Sequence, residues 1–128
     1  MAASNDAILA RIDRYVNGFG GGREDFLDNF RDDAWIEDPV GTPRLEGRDA
    51  IGGFYDQTQG MADSVSLVLT GPVRIAGGEA AFPFQARPVI GGTAFCVEII
   101  DVMTFDDDGR IATMRAYWDP AAMAPLEG

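Results

Sequence analysis

Residues 95–105 carry the most restrictive pattern of the chain, because large apolar side chains recur there at every second position. In a β-strand this period of two places six side chains on one face: Phe95, Val97, Ile99, Asp101, Met103 and Phe105. Five of the six are large and apolar, so we expect this face to be buried. The sixth is a carboxylic acid, and burial of an isolated carboxylate favours its neutral, protonated form. A neutral Asp101 in an apolar wall would be a hydrogen-bond donor.

Two other arrangements of Asp101 remain open from the sequence alone. A β-bulge in the strand would turn the side chain to solvent. A buried carboxylate could also meet an arginine or several backbone amides, which would stabilise its charged form.

The basic residues narrow the possible chemistry. The chain has no histidine, and all ten of its basic residues are arginines. This composition excludes Ser-His and Cys-His nucleophiles, Schiff bases, histidine-containing metal sites and a P-loop lysine. Cys96 lies on the strand face opposite to Asp101, and we interpret it as a small structural residue. An enzyme with these residue types has to use carboxylates, tyrosines and backbone amides.

The charge balance and the single cysteine indicate the surroundings in which the chain acts. A formal net charge of −11 argues against binding to nucleic acids or anionic membranes, because such binding depends on basic patches. We therefore expect a neutral substrate or a protein partner. A lone cysteine excludes an internal disulfide bond, and no apolar run is long enough to span a membrane. These features, with no basic and apolar leader at the N-terminus, predict a cytoplasmic protein.

Three helices are predicted in the first half of the chain. Ser4, Asn5 or Asp6 can cap the first helix, whose apolar stripe comprises Ile8, Ile12, Tyr15, Val16 and Phe19. Tyr15 is therefore expected to point inward. A shorter helix is predicted over residues 23–30, with Phe26, Leu27 and Phe30 inward. Asp49 is predicted to cap a third helix, in which Ile51, Phe54 and Tyr55 face the core.

The remaining periodic segments are predicted to be strands. A short strand is predicted over residues 34–41, and Asp38 lies near its end, next to Pro39 and a loop. Beyond Gly60 the predicted strands cover residues 64–69, 73–76, 79–87, 95–105 and 110–118, and Asp108-Gly109 marks a hairpin. The tail from Pro120 is predicted to be loose. Helices followed by an antiparallel meander indicate a single α+β domain, residues 1–128, with a hollow between helices and sheet.

Several short motifs occur in an order and spacing that resemble one family. They are Arg14-Tyr15-Val16, Asp32-Asp33-Ala34, residues 37–41 (Glu-Asp-Pro-Val-Gly), Phe54-Tyr55, Ile100-Asp101 and Met114-Arg115-Ala116. As an ordered set they resemble the bacterial ketosteroid isomerases (steroid delta-isomerases), in the superfamily of nuclear transport factor and the polyketide cyclases. The resemblance implies N-terminal helices packed into a curved, mostly antiparallel sheet that forms a conical open barrel.

The resemblance also implies roles for individual residues, in a reaction that needs no cofactor and no metal. Asp38 matches the general base, Tyr15 the phenol of the oxyanion hole, and Asp101 the protonated acid beside it. This family is the reference example of a carboxylic acid that stays neutral at pH 7. Tyr55 matches a tyrosine that supports the phenol through a hydrogen bond. The implied substrate-binding side chains are Trp118, Met114, Phe54, Val40 and Met103.

The resemblance further implies a steroid substrate, no membrane or nucleic-acid partner, and a homodimer. Trp35, Ile100 and Val102 would supply apolar area on the outer face of the sheet for that dimer. Two alternatives remain: another enzyme of the same fold, of the polyketide cyclase or epoxide hydrolase type, or a non-catalytic module that binds an apolar ligand.

Two local features of this chain differ from the family, and the sequence leaves the conformation of one proline open. The turn at residues 18–22 is about one residue shorter than is usual in the family. Pro83 lies where the family has an ordinary strand residue, and a proline there requires an edge position or a bulge. Pro39 could be cis or trans.

Overall fold

The computed structural model describes residues 2–126, and these residues form three α-helices and an eight-stranded sheet. The helices are α1 (Asn5–Gly18), α2 (Arg23–Leu27) and α3 (Arg48–Gly60). The strands are β1 (Phe30–Glu37), β2 (Leu45–Glu46), β3 (Ser64–Leu69), β4 (Arg74–Ala76), β5 (Glu79–Ile90), β6 (Thr93–Phe105), β7 (Ile111–Tyr117) and β8 (Ala124–Pro125). The α+β class is confirmed.

The sheet is curved, open and mixed. Its strands follow the order β2-β1-β7-β6-β5-β3, while β4 pairs with β5 and β8 pairs with β6. All pairs are antiparallel except β1 with β7. Because β6 lies between β5 and β7, its central residues are flanked by backbone on both sides. Asp101 is one of them, with Phe82 and Ala116 as its neighbours across the two strand pairs.

Helix α1 follows the sequence prediction closely. Ser4 is its N-cap, and the Ser4 hydroxyl oxygen accepts a hydrogen bond from the Ala7 N–H at 3.1 Å. This bond satisfies one of the amides that a helix N-terminus leaves unpaired. The buried side chains of the helix are Ile8, Ile12, Tyr15 and Val16. They join one core with inward residues of the sheet such as Phe82 and Met103.

The second helix is shorter than predicted, because the chain leaves it to pair with the sheet. Helix α2 ends at Leu27, and Phe30 already belongs to β1, where it is the register partner of Ile111 on β7. The Ile111 N–H also donates to the Asn29 carbonyl oxygen at 2.8 Å. Residues distant in sequence thus determine where the helix ends. Phe26, Leu27 and Phe30 are all buried, as predicted.

The predicted cap of the third helix is wrong by two residues. Gly47 occupies the N-cap with φ of 88°, a left-handed conformation that glycine adopts without strain. Asp49 lies within the first turn, where its negative charge interacts favourably with the positive end of the helix dipole.

The tail after β7 is ordered, in contrast to the prediction. Residues Pro120–Ala122 form a 3-10 helix, and the Asp119 side chain accepts a hydrogen bond from the Ala121 N–H at 2.9 Å. Strand β8 then pairs with the start of β6, with Ala124 opposite Cys96. The partner lies about 30 residues earlier in the chain, so no local pattern could indicate this pairing.

Pro83 is accommodated in β5 opposite the connection between β3 and β4. Its carbonyl oxygen accepts a hydrogen bond from the Thr70 N–H at 3.1 Å, and Thr70 follows the last residue of β3. Backbone N and C=O of one strand residue point to the same side, so the missing N–H of Pro83 faces this connection and not a strand.

Within residues 2–126, every helix is too short or too polar to cross a membrane.

Adjacent glycines in α3 offer a matched test of helix packing. At Gly53 an added Cβ would meet no atom within 4 Å, so Gly53→Ala is expected to raise the free energy of unfolding by about 0.5–1 kcal/mol. At Gly52 the added Cβ would lie 2.3 Å from Arg23, whose guanidinium pairs with Asp56 at 3.2 Å. Gly52→Ala should therefore stabilise less than Gly53→Ala in urea unfolding. Equal gains for the two variants would contradict this packing of Arg23.

Candidate active site

A cavity of about 600 Å³ lies between the helices and the inner face of the sheet. This size is in the range of pockets that hold drug-sized ligands. Its wall is mostly apolar, with residues from α1, α3, several strands and the ordered tail. Among the wall residues are Tyr15, Phe19, Asp38, Phe54, Gln57, Leu67, Phe84, Val97, Ile99, Trp118 and Met123.

Asp101 is buried in apolar surroundings, with 1% of its surface exposed. Neither of its carboxyl oxygens has a hydrogen-bond partner among residues 2–126. The predicted inward orientation is therefore confirmed, and the bulge to solvent and the arginine or amide partner are both excluded for the described residues. Burial, and after it the nearby charge of Asp38, raises the pKa of Asp101 well above its usual value. The side chain is a neutral acid with an unused O–H donor.

Tyr15 lies in the cavity wall at the end of the inward stripe of α1 and is 4% exposed. Its ring contacts the rings of Phe19, Phe26 and Phe30, at centroid distances of 6.3, 5.9 and 6.2 Å. Burial is the main cause that raises the pKa of Tyr15 well above 10, and the charge of Asp38 adds to it. The phenol therefore keeps its proton, and its ring packs against three aromatic neighbours.

Asp38 follows the last residue of β1, and its peptide bond to Pro39 is cis. The Trp118 indole Nε1–H donates a hydrogen bond of 2.6 Å to Asp38 Oδ1. Burial raises the pKa of Asp38 to about 6, although the bond from Trp118 lowers it. A carboxyl group with that pKa is about 90% ionised at pH 7. The cavity thus has one charged carboxylate, whereas Asp101 behind its wall is neutral.

The predicted hydrogen bond from Tyr55 to Tyr15 is absent from the described residues. The Tyr55 hydroxyl oxygen accepts a hydrogen bond of 3.1 Å from the Gly22 N–H, the N-cap of α2. That amide belongs to a helix start without a side-chain cap, so it lacks an acceptor within the helix. The Tyr55 ring stacks on Phe26 at 4.7 Å, and Phe26 in turn contacts Tyr15. Contact between the two tyrosines is therefore indirect, through an aromatic ring.

The residues predicted to bind substrate divide into two groups. Phe54 and Trp118 line the cavity. Met103 and Met114 are 0% exposed and are register partners in the core, because an inward position on β6 or β7 can lie behind the cavity wall. Val40 is also outside the wall, and its N–H donates to the Ala116 carbonyl oxygen at 2.8 Å.

Other wall residues were not predicted from the sequence. Phe84 and Leu67 follow the inward alternation of β5 and β3, so the strand pattern contains the signal that indicates them. Met61 and Met123 follow the end of α3 and the 3-10 helix, where no periodic pattern applies.

The arrangement can move a proton and stabilise developing negative charge. Asp38 is an ionised carboxylate that can accept a proton, while Tyr15 and Asp101 are neutral acids that can donate hydrogen bonds where little water competes. Among residues 2–126 no three acidic or cysteine side chains come together as a group that could hold a metal ion.

The core position of Met114 has a measurable consequence. Met114→Ala is expected to lower the free energy of unfolding by about 2–5 kcal/mol, because the change leaves a cavity in a packed interior. Phe54→Ala removes a half-buried side chain from the wall of an existing cavity, so it should lower the free energy of unfolding by less than Met114→Ala does. Urea unfolding of both variants measures the difference. A smaller loss for Met114→Ala than for Phe54→Ala would contradict the core position.

Comparison with known proteins identifies the family. Residues 12–114 match the SnoaL-like domain family. The chain is 40% identical over 117 residues to a steroid delta-isomerase of Nocardioides simplex, covering 91% of this chain and 93% of that protein.

The fold has a counterpart among solved structures. The epoxide hydrolase/cyclase-like enzyme SalBIII, with a role in pyran ring formation in the polyether salinomycin, superposes with a TM-score of 0.85. The two chains are 22% identical, and the match covers 96% of this chain and 98% of that one, so it shows a common fold. The matching domain and the 40% identical relative place this chain in the ketosteroid isomerase (steroid delta-isomerase) family of the nuclear-transport-factor-like superfamily.

Proposed function

We propose that the protein is a cofactor-free isomerase that converts a 3-oxo-Δ5-steroid to its conjugated Δ4 isomer. The observation that carries this proposal is the buried Asp101, whose carboxyl oxygens have no hydrogen-bond partner among residues 2–126 and whose pKa is raised well above its usual value by burial. Two acids that stay protonated, near an ionised Asp38, suit a reaction in which a carbonyl oxygen becomes negatively charged. The 40% identical relative, named as a steroid delta-isomerase, supports the choice of substrate.

Asp38 is the proton carrier of the proposed reaction. Its carboxylate removes a proton from C4 of the steroid, and the C–H electron pair moves into the ring, so that the C3 carbonyl becomes a dienolate oxygen. Asp38 then returns the same proton to C6, and the double bond is conjugated with the carbonyl. No proton or electron is gained or lost overall. A base with a pKa of about 6 is ionised at neutral pH and still strong enough to accept the proton.

Tyr15 and Asp101 stabilise the dienolate. Both are protonated and donate hydrogen bonds to the C3 oxygen as its negative charge develops. They lie in a preorganised apolar environment, where a donor of this kind is typically worth about 2.7–4 kcal/mol of the barrier. In the free protein these two groups make few hydrogen bonds, so few hydrogen bonds have to break when the C3 oxygen becomes charged.

The cavity supports a neutral polycyclic substrate. Its wall is mostly apolar and extends from Tyr15 and Asp38 to Met61, Ile90 and Met123 at partly exposed positions. The net charge of −11 and the Asp38 carboxylate would repel an acidic ligand. A steroid satisfies both conditions, because its apolar ring system suits the wall and it carries no charge.

We also propose a homodimer through the outer face of the sheet. Ile100 and Tyr117 are register partners on this face and are 48% and 43% exposed. Val102 is half-buried, and Trp35 is covered by the Arg44 guanidinium at 3.7 Å, so Ile100 contributes more open apolar area than these two residues.

The direct test follows the absorbance of the conjugated enone formed from 5-androstene-3,17-dione. Asp38→Asn should nearly abolish turnover, because the amide cannot accept the proton. Tyr15→Phe and Asp101→Ala should each lower kcat by about 10²–10³-fold through loss of one donor. Wild-type protein that leaves the steroid unchanged, as Asp38→Asn does, would overturn the proposal. Quenching of tryptophan fluorescence by the steroid without a shift of its double bond would identify a binding module instead.

The bond from Trp118 to Asp38 predicts a pH effect. Activity requires ionised Asp38, so kcat/KM of the wild type should fall tenfold per pH unit below about 6. Trp118→Phe removes a donor that stabilises the carboxylate, so the pKa of Asp38 rises and the fall begins at a higher pH. Gln57→Ala, an exposed wall residue on α3, serves as the control and should leave the profile in place. An unchanged profile for Trp118→Phe would contradict this role of the indole.

A further inference from the structure

A group of charged side chains lies on the outer face of the sheet, directly beside Asp38 in sequence. Glu37 ends β1, and its side chain is 13% exposed. Glu37 Oε1 accepts a hydrogen bond of 3.0 Å from Arg44 Nε, and Glu37 Oε2 lies 3.6 Å from a terminal nitrogen of Arg115. We call these three residues the Glu37 cluster.

Arg44 is fixed by a second contact. Its guanidinium carbon lies 3.7 Å above the centre of the Trp35 ring, in the geometry of a cation–π interaction. Trp35 is itself part of β1 and is paired with Glu46 and Thr113 in the sheet. One face of the guanidinium therefore contacts an indole, while its edge donates to a carboxylate.

Glu37 and Arg44 are the two ends of the loop that carries Asp38. Within the loop, the backbone N–H and the hydroxyl of Thr42 both donate to the Pro39 carbonyl oxygen, at 3.2 and 2.7 Å. The Val40 N–H donates to Ala116 on β7. The ion pair between Glu37 and Arg44 closes this loop at its ends.

The third member of the Glu37 cluster belongs to the strand that leads to Trp118. Arg115 lies on β7, three residues before Trp118, whose indole donates to Asp38. Arg115 also donates a hydrogen bond of 2.9 Å to the Tyr117 hydroxyl. Glu37 thus connects the loop that carries Asp38 with the strand end that carries Trp118, the hydrogen-bond donor to Asp38.

We propose that Glu37 and Arg44 are positioning residues, which hold the loop after β1 so that Asp38 keeps its hydrogen bond from the Trp118 indole. Exposed ion pairs contribute little to a fold, and the pair between Arg48 and Glu24 is of that kind, with side chains 38% and 72% exposed. Glu37 differs, because it is largely buried and lies between two guanidinium groups. If Glu37 loses its charge, both arginines lose their common partner, and the Arg115 Nε already has none among residues 2–126.

The two tryptophans of the chain allow a test that needs no substrate. In a ¹H–¹⁵N NMR spectrum each indole N–H gives its own signal: Trp35 reports on the stacked Arg44, and Trp118 reports on its bond to Asp38. Glu37→Gln should shift both signals. Arg44→Met should do the same, whereas Arg44→Lys, which keeps the charge, should leave the Trp118 signal closer to that of the wild type.

Glu24→Gln is the matched control, because it removes the charge from an exposed ion pair between helices. It should leave both indole signals in place. The proposal is overturned if Glu37→Gln and Arg44→Met move the Trp35 signal while the Trp118 signal stays at its wild-type position. Melting temperatures of all variants show whether a shift reflects the loop or a loss of the fold.

A kinetic measurement extends the test and rests on the proposed isomerase function. Glu37→Gln should lower kcat by about tenfold and change KM by less than about twofold, since a misplaced base affects the chemical step more than binding. A change confined to KM would contradict the positioning role. If the wild type has no isomerase activity, the proposed function fails, and the NMR signals still decide the role of Glu37.

Discussion

The site depends on the exclusion of water from Asp101. A carboxylate transferred into apolar surroundings without a partner is destabilised by several kcal/mol, so the group keeps its proton. This is possible because β6 lies between β5 and β7, and the residues opposite Asp101, Phe82 and Ala116, are each 1% exposed. The same exclusion of water raises the pKa of Tyr15, so one physical effect keeps both acids protonated.

The two carboxyl groups near the cavity differ because the chain places them differently. Asp101 lies in the interior of a strand that is flanked by strands on both sides, and among residues 2–126 no donor reaches its side chain. Asp38 lies just past the end of a strand, where the loop gives it an opening to the cavity and Trp118 supplies a donor. The position relative to the strand end therefore gives the two carboxyl groups different pKa values, as the proposed acid and base require. It does so with no histidine in the chain.

Local patterns predicted those parts of the structure that local physics determines. The period of two in residues 95–105 predicted the burial of Asp101, and the helical stripe predicted the inward position of Tyr15. The acceptor role of the Tyr55 hydroxyl was not predictable, since the Gly22 amide that it satisfies comes from another element. The resemblance implies that Met103 and Met114 bind substrate, but both are fully buried outside the cavity wall, because the face of a strand does not fix how deep a side chain lies.

Met103 and Met114 nevertheless serve the site from behind it. Met103 lies on the same strand face as Asp101, two residues further along, and Met114 precedes Ala116, the neighbour of Asp101 on β7, by two residues. Both are fully buried, and unbranched methionine side chains fill irregular spaces well. A void at either position large enough for a water molecule would offer Asp101 a partner, stabilise its charged form and weaken it as a donor. In this fold the packing of the core and the protonation of the site are therefore one requirement.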